Sequence, residues 1–265
     1  ELVSAIIASY DGNSAIVAGN VLGANISNIF LILGITTIVA GRSIYLGEEY
    51  IFIDLHFMLG SSVLLSYFMW QGTLGWIEGV ILITGFLIYQ FHLFGSDKPK
   101  EMPVITEEKK IEEVRRDHSY KDYVILLISA VGIYFGADYT INSISEIASA
   151  FGVDDGLISI TVLSLGTTFP ELFVSISATR SGQPEIAIGN ILGSCIFNAF
   201  AVSGVAAIIN PIEVPQIMKQ VALVFLLIAA VFFYLLSQDK KISKWEGMLF
   251  VLFYVVFFLK ISQII

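Results

Sequence analysis

The sequence has few of the residues on which disulfide-stabilised proteins and enzymes depend. Its one cysteine, Cys195, excludes an internal disulfide. The three histidines, His56, His92 and His118, are scattered without metal-ligand spacing, and no nucleophile motif accompanies them, which disfavours an enzyme. Charged residues make up only 14% of the chain, and the formal net charge of -9 disfavours nucleic acid as a partner.

Long apolar runs dominate the rest of the chain. Hydrophobic residues make up 56% of the 265 residues and the mean hydropathy is +0.81, which is typical of an all-α polytopic protein with the lipid bilayer as its partner. Leu2 to Ser9 is too short to cross a membrane and is predicted to be the second half of a broken helix. The predicted full spans are 14–40, 50–70, 76–94, 122–144, 157–180, 185–209, 221–236 and 245–261.

A charged stretch divides the chain into two membrane halves. Residues 1–95 form the first half, residues 96–120 a solvated linker, and residues 121–265 the second half. If the linker is cytoplasmic, the loops and flanks on its side carry 12 of the 14 Lys and Arg residues, which fits the positive-inside rule. The sequence therefore predicts an integral, multi-pass protein of the cell membrane. Five spans per half would give the two halves opposite orientations.

The two halves contain the same motif. Residues 1–34 superpose on residues 171–204 at an offset of 170 without a gap, and 14 of the 34 positions are identical. Unrelated apolar segments would share only about two or three, and inverted repeats of this kind are typical of transporters. The predicted repeats extend over residues 1–40 and 157–209.

Polar residues share one face of the helix that follows each repeated glutamate. In the second copy they are Asn190, Ser194 and Asn198, at i, i+4 and i+8. The first copy has Asn20, Ala24 and Asn28 at the matching positions. Hydrogen bonding between helices is a rival explanation for Asn20 and Asn190, and it is weaker for Asn28 and Asn198.

Glycines recur four residues apart on the same two helices. They remove side chains where two helices approach closely, so plain helix packing explains them, and close approach would also bring the two polar faces together. The residues assigned to helix packing and site support are Gly19, Asn20, Gly23, Pro170, Gly189, Asn190 and Gly193.

The segment Leu165-Gly166-Thr167-Thr168-Phe169-Pro170-Glu171-Leu172 places polar groups inside an apolar run. Pro170 has no N–H, so we expect the helix to break there and to leave Gly166 C=O without its helical partner. Glu171 would then lie in the first turn of a second half-helix, whose dipole stabilises its carboxylate. Together with the hydroxyls of Thr167 and Thr168, these oxygens suit a hard cation. A kinked packing helix is the plainer interpretation, and the second copy of the motif favours a site.

Inverted copies would bring Glu1 and Glu171 together at the bilayer midplane. Two carboxylates in a low dielectric repel each other, and each resists ionisation unless a cation or a proton neutralises it. Calcium, several sodium ions or protons can each satisfy the pair, but not all at once. The pair therefore gives coupled exchange a physical basis.

These residues resemble the two alpha repeats of the sodium/calcium exchanger family. The resemblance is carried by Gly166 to Glu171 with Gly189 to Ser194 in the second copy, and by Glu1 with Gly19 to Asn25 in the first. It implies ten spans in an inverted five-plus-five arrangement with broken helices, and electrogenic exchange of Ca²⁺ for Na⁺ without a cofactor. The metal ligands that it implies are Glu1, Asn28, Gly166 through its carbonyl, Thr167, Thr168, Glu171, Ser194 and Asn198.

Three departures from the family pattern bear on function. The first repeat begins at its glutamate, so we expect the first one and a half spans, about 50 residues matching 121–170, to be absent from this chain. Ala24 stands where the matching Ser194 would supply an oxygen, which weakens one sodium position. Asn198 stands where some members have aspartate, so Glu1 and Glu171 are the only acidic ligands and the stoichiometry and any potassium requirement stay open.

Other functions are compatible with the same motifs. A cation/proton antiporter of the same superfamily is the close alternative, because Glu1 and Glu171 could carry protons themselves. The two threonines and the proline before Glu171 favour sodium. A cation channel and a membrane-embedded enzyme are more distant alternatives, since inverted broken helices around a closed midplane site favour alternating access.

Overall fold

The described part of the protein is almost entirely helical. The computed structural model describes residues 1–47, 53–95, 131–132, 135–136, 138–144, 146–147, 150, 152 and 155–262. The helices with defined bounds are α1 (Leu2–Tyr10), α2 (Ser14–Ala40), α3 (Leu55–Trp70), α4 (Trp76–Gly95), α5 (Asp155–Arg180), α6 (Pro184–Ile209), α7 (Gln216–Leu236) and α8 (Lys244–Ser262). The predicted all-α class is confirmed.

Six of these helices are long and apolar enough to cross a membrane, namely α2, α4, α5, α6, α7 and α8. Helix α3 is apolar but shorter. The predicted span at 122–144 lies largely outside the described residues, although those at 138–144 are helical. The predicted linker at 96–120 lies wholly outside them.

Three of the long helices contain a π-helical segment. These segments are Ser27–Leu33 in α2, Ser159–Leu163 in α5 and Asn198–Val202 in α6. A π turn holds one residue more than an α turn and therefore changes the direction of the side chains around it. Two of the three segments contain a predicted ion ligand, Asn28 or Asn198.

The predicted break of α5 at Pro170 is wrong. The helix is continuous from Ser164 to Arg180, with Pro170 inside it, and its departure from α geometry is the π segment about two to three turns earlier. In the turn before the proline, Thr168 Oγ1 donates to Ser164 O at 2.9 Å, which adds a hydrogen bond within the helix. Proline therefore removes one backbone donor, from Gly166 C=O, without ending the helix.

Two short antiparallel strand pairs show how the halves are related, and the sequence did not predict them. Strand β1 (Ile44–Tyr45) pairs with β4 (Lys241–Ile242), and β2 (Thr73–Leu74) pairs with β3 (Ile212–Glu213). Each pair joins a strand of the first half to a strand of the second. An offset of 168 residues carries Ile44 to Ile212 and Leu74 to Ile242, so the repeat operation exchanges the two pairs.

The repeat also relates two close contacts between helices of different halves. A Cβ at Gly34 in α2 would lie 2.9 Å from Gly247 O in α8, and a Cβ at Gly79 in α4 would lie 2.8 Å from Gly204 O in α6. Gly34 and Gly204 are matching positions of the repeat. Helices α2 and α6 thus each pack their backbone closely against a helix of the other half, as expected for inverted repeats.

The strand pairs also distinguish the two ends of the helix bundle. Ser9 Oγ donates to Ala206 O at 2.7 Å, and Asn210 Nδ2 donates to Ser9 O at 3.2 Å, so the α1–α2 turn lies at the β2–β3 end. The β1–β4 end carries the basic residues Arg42, Lys240 and Lys241.

Candidate ion site

An open cavity of about 580 Å³ lies where the start of α1 meets α5 and α6. Four predicted ligands line it: Glu1, Thr167, Glu171 and Ser194. Four residues assigned to site support line it as well: Pro170, Gly189, Asn190 and Gly193. The two halves of the chain therefore contribute to one cavity, as the repeat predicts.

The two carboxylates lie close enough to interact. The Glu1 carboxylate interacts electrostatically with Glu171 and lies beside the Asn198 side chain. Among the described residues, no hydrogen-bond partner reaches the buried atoms Glu1 Oε1 and Glu171 Oε2. Buried carboxylate oxygens without a partner are costly, so this arrangement favours binding of a positive charge.

The two predicted asparagine ligands are buried beside this pair. Asn28 is 0% exposed and Asn198 is 1% exposed, and neither side-chain amide has a hydrogen-bond partner within the described ranges. The thiol of Cys195 lies near the Asn28 amide and the Glu1 carboxylate, which connects Asn28 to the acidic pair. An unpaired buried amide costs about 1–3 kcal/mol, and a bound cation would satisfy its oxygen.

The threonines and Gly166 are placed less uniformly. Thr167 lines the cavity, and its hydroxyl donates to Asn20 Oδ1 at 3.2 Å and to Ser164 O at 3.1 Å. Thr168 is buried and its hydroxyl donates back to Ser164 O and Leu165 O, so the structure does not turn it toward the cavity. Gly166 is exposed and does not line the cavity.

Close packing of α2 on α5 holds the first-repeat residues in place. A Cβ at Gly19 would lie 2.5 Å from Gly156 O, and a Cβ at Gly23 would lie 2.5 Å from Ser164 Oγ. Ser159 Oγ also donates to Ile16 O at 2.8 Å. These contacts bring Asn20 within hydrogen-bonding distance of Thr167 and fix the position of α2 along the axis of α5.

Sequence reasoning missed two residues that the repeat relates to each other. Cys195, near Asn28 and Glu1, matches Asn25 at the offset of 170, and both are buried. Both amide atoms of Asn25 have no hydrogen-bond partner in the described part of the chain. The signal that could have found them is their position three residues before Asn198 and Asn28.

The donor set suits a hard cation. Nowhere among the described residues do three or more His, Cys, Asp or Glu side chains lie close enough together to hold a metal ion. An ion at this site would therefore rely on amide and hydroxyl oxygens beside the two carboxylates. Oxygen-only shells of this kind fit Ca²⁺ and Na⁺ better than they fit transition metals.

A known protein family matches most of the chain. Residues 1–95 and 121–261 match the family model described as sodium/calcium exchanger protein. The chain belongs to the sodium/calcium exchanger family. Members are transporters rather than enzymes, and the six membrane-length helices make this member an integral membrane protein.

Individual relatives support this membership. The chain is 28% identical over 292 residues to the sodium/calcium exchanger MaX1 of Methanosarcina acetivorans, covering 97% of this chain and 83% of the relative. It is 26% identical over 250 residues to the inner membrane protein YrbG of Escherichia coli, covering 93% and 76%.

Two solved exchangers share the fold. The sodium-calcium exchanger NCX_Mj, soaked with Na⁺ and Ca²⁺, matches with a TM-score of 0.68 and 25% identity, covering 96% of this chain and 79% of that one. The H⁺/Ca²⁺ exchanger CAX matches with a TM-score of 0.81 over 99% of this chain and 72% of that one. Its identity of 16% makes this a likeness of fold alone. The predicted inverted exchanger fold is confirmed.

Proposed function

We propose that the protein exchanges Ca²⁺ for Na⁺ across the cell membrane by alternating access. The site is the cavity between Glu1 and Glu171, near the middle of the membrane-spanning helices. The observation that carries the proposal is the set of buried, unpaired oxygens on Glu1, Glu171, Asn28 and Asn198, which come from both repeats within the described residues. The relative named as a sodium/calcium exchanger supports the choice of ions.

The proposed ligands divide into two groups. Glu1, Glu171, Asn28 and Asn198 would form the central calcium shell, because two carboxylates balance one Ca²⁺ and the amides add neutral oxygens. Thr167 and Ser194, which line the cavity, would serve the sodium ions. Thr168 and the Gly166 carbonyl would join only after α5 changes its local geometry, since Thr168 now bonds its own helix.

Coupling follows from the charge of the pair. Two carboxylates in a site of low dielectric repel each other when the site is vacant. This repulsion disfavours the occluded intermediate, in which the site is open to neither side of the membrane. One Ca²⁺ or several Na⁺ would each remove the repulsion, and they would compete for the same oxygens. Movement between the two access states would then require a bound ion.

Calcium uptake into lipid vesicles tests the proposal. Vesicles loaded with Na⁺ and diluted into Na⁺-free buffer containing calcium at a fixed pH should accumulate calcium. Vesicles with equal Na⁺ on both sides and an imposed pH gradient should not. Uptake that follows the pH gradient and ignores the sodium gradient would refute sodium coupling.

Calcium/proton exchange is the second candidate. The specific observation in its favour is that a proton on Glu1 or Glu171 would also satisfy the unpaired carboxylate oxygens. The pH-gradient arm of the same uptake experiment would then be the positive one.

We also propose that the β1–β4 end and the linker at 96–120 face the cytoplasm. Their excess of basic residues fits the positive-inside rule. In a Cys195→Ser background, Tyr45→Cys and Lys241→Cys should resist a membrane-impermeant maleimide in intact cells, whereas Thr73→Cys should be labelled. Labelling of Tyr45→Cys but not of Thr73→Cys would reverse the orientation.

A further inference from the structure

The π segment at Asn198 is held by a residue that the ion site does not itself use. Ser203 is 0% exposed, and its hydroxyl donates to Asn198 O at 3.0 Å. The backbone N–H of Ser203 donates to the same carbonyl. The carbonyl of a proposed ligand is thus bonded twice by the residue five positions later, which is the spacing of a π turn.

The first repeat holds its π segment differently. Leu33 occupies the position that matches Ser203, so no side-chain hydroxyl is available there. The segment that contains Asn28 packs instead on α8, where the Phe30 and Phe253 rings stack with centroids 5.4 Å apart. Ser27 Oγ also lies 3.5 Å from Tyr254 OH. We call the bond from Ser203 Oγ to Asn198 O the hydroxyl clamp, and the first repeat has no equivalent of it at the matching position.

The clamp has a direct consequence for the direction of the Asn198 side chain. If the turn relaxed to α geometry, Asn198 O would accept a hydrogen bond from the N–H of Val202 instead of that of Ser203. Each residue of a helix turns by about 100°, so a one-residue change in register would redirect the neighbouring side chains by that angle. The Asn198 amide would then no longer lie beside the Glu1 carboxylate.

We propose that Ser203 is a positioning residue for Asn198: its hydroxyl stabilises the π turn that directs the Asn198 amide toward the transported cation. The proposal rests on the proposed ion-exchange function. It assigns to Ser203 no contact with the ion, because both of its bonds go to the Asn198 backbone.

The test is sodium-driven calcium uptake by the protein in lipid vesicles. Ser203→Ala should raise the KM for calcium roughly three- to tenfold, the range that one lost hydrogen bond gives. The maximal rate should change less than about twofold, because uniform loss of binding does not affect turnover. Ser203→Thr, which keeps the hydroxyl, should restore the wild-type KM.

Ser62→Ala is the matched control. Ser62 is a buried serine on α3 whose hydroxyl has no hydrogen-bond partner among the described residues, so its removal breaks no bond to a ligand. Its KM for calcium should equal that of the wild type. If Ser203→Ala does not fold, Ser203→Cys can replace it, because cysteine has a similar size and a weaker donor. Its KM for calcium should exceed that of the wild type, by less than the roughly three- to tenfold expected for complete loss of the hydrogen bond.

A double-mutant cycle separates positioning from a general structural role. In an Asn198→Ala background, Ser203→Ala should cause no further change in calcium affinity, because the ligand that it positions is gone. Where uptake is too slow to measure, the calcium-dependent rise in melting temperature gives the same comparison.

The outcomes distinguish this proposal from the proposed function. Wild-type protein without calcium uptake would refute the function itself. Normal wild-type uptake with an unchanged KM in Ser203→Ala would overturn the positioning role alone. An equal effect of Ser203→Ala with and without Asn198 would also overturn it, since the hydroxyl would then act elsewhere.

Discussion

The same glycine motif has different surroundings in the two repeats. In the first repeat, a Cβ at Gly23 would overlap Ile160 O and lie 2.5 Å from Ser164 Oγ. In the second repeat, no described atom lies within 4 Å of a Cβ at the matching Gly193, which lines the cavity. One motif thus gives close helix contact in one half and open space beside the carboxylates in the other.

The matching asparagines, Asn20 and Asn190, also differ in burial and in hydrogen-bond partners. Asn20 is buried and lies 3.2 Å from Thr167 on the helix that carries Glu171. Asn190 is half-buried and donates weakly, at 3.4 Å, to Glu171 O and Ser175 Oγ. The first asparagine connects the two halves, whereas the second stays within its own half.

Side chains at other matching positions are not equivalent either. Ala24 matches Ser194, Asn25 matches Cys195 and Leu33 matches Ser203. Of Ala24 and Ser194, only Ser194 has a hydroxyl, and this residue lines the cavity. The repeat therefore fixes two carboxylates and two asparagines symmetrically, and the second half supplies most of the remaining oxygen donors.

The largest effect is expected where the repeats are most alike. Glu171→Gln should reduce sodium-driven calcium uptake more than about 100-fold. This is the scale expected when one charge of a buried pair of opposite charges, here a carboxylate and the bound cation, is removed. Glu1→Gln should do the same. Uptake of calcium into vesicles measures both variants, and Glu213→Gln, an exposed glutamate in β3, is the matched control with normal uptake.

Near-normal uptake by Glu171→Gln would show that the shared cavity is not the transport site. Loss in only one of the two variants would show that the carboxylates are not equivalent. Either result would limit how far the repeat symmetry extends into function.

A smaller effect should separate the two glycines. Gly23→Ala should lower the free energy of unfolding by about 1–3 kcal/mol, because the added methyl group meets a backbone carbonyl that cannot move aside. Gly193→Ala should change it by less than about 0.5 kcal/mol, since space is open and alanine favours the helix. Thermal unfolding in detergent measures both, and equal losses would show that another segment packs on Gly193.

The smallest effect concerns the asparagines. A double-mutant cycle of Asn20→Ala with Thr167→Val should give a coupling free energy of about 0.5–1.5 kcal/mol, as expected for one buried hydrogen bond. The matched cycle of Asn190→Ala with Ser175→Ala should give less, because that contact is longer and half-exposed. Equal couplings in unfolding experiments would mean that both asparagines have the same structural role.

Much of the protein could be predicted from the sequence alone. Apolar length defines membrane spans because a helix must satisfy its own backbone groups in lipid, so the spans at 14–40, 157–180 and 185–209 agree with α2, α5 and α6. The offset of 170 predicted two halves of similar structure, and five spans per half predicted that these halves are inverted. The offset also selected Glu1, Glu171, Asn28 and Asn198, each of which has buried side-chain atoms without a hydrogen-bond partner among the described residues.

Other features depended on neighbours that a linear pattern does not contain. Pro170 was predicted to break α5, but the helix continues through it, because proline removes only one backbone donor, and the departure from α geometry is the π segment Ser159–Leu163. Residue type and spacing predicted that two carboxylates and two amides would share a site. Tertiary contacts alone decided which of the matching positions pack closely and which remain open, because these depend on the atoms that the other half places against them.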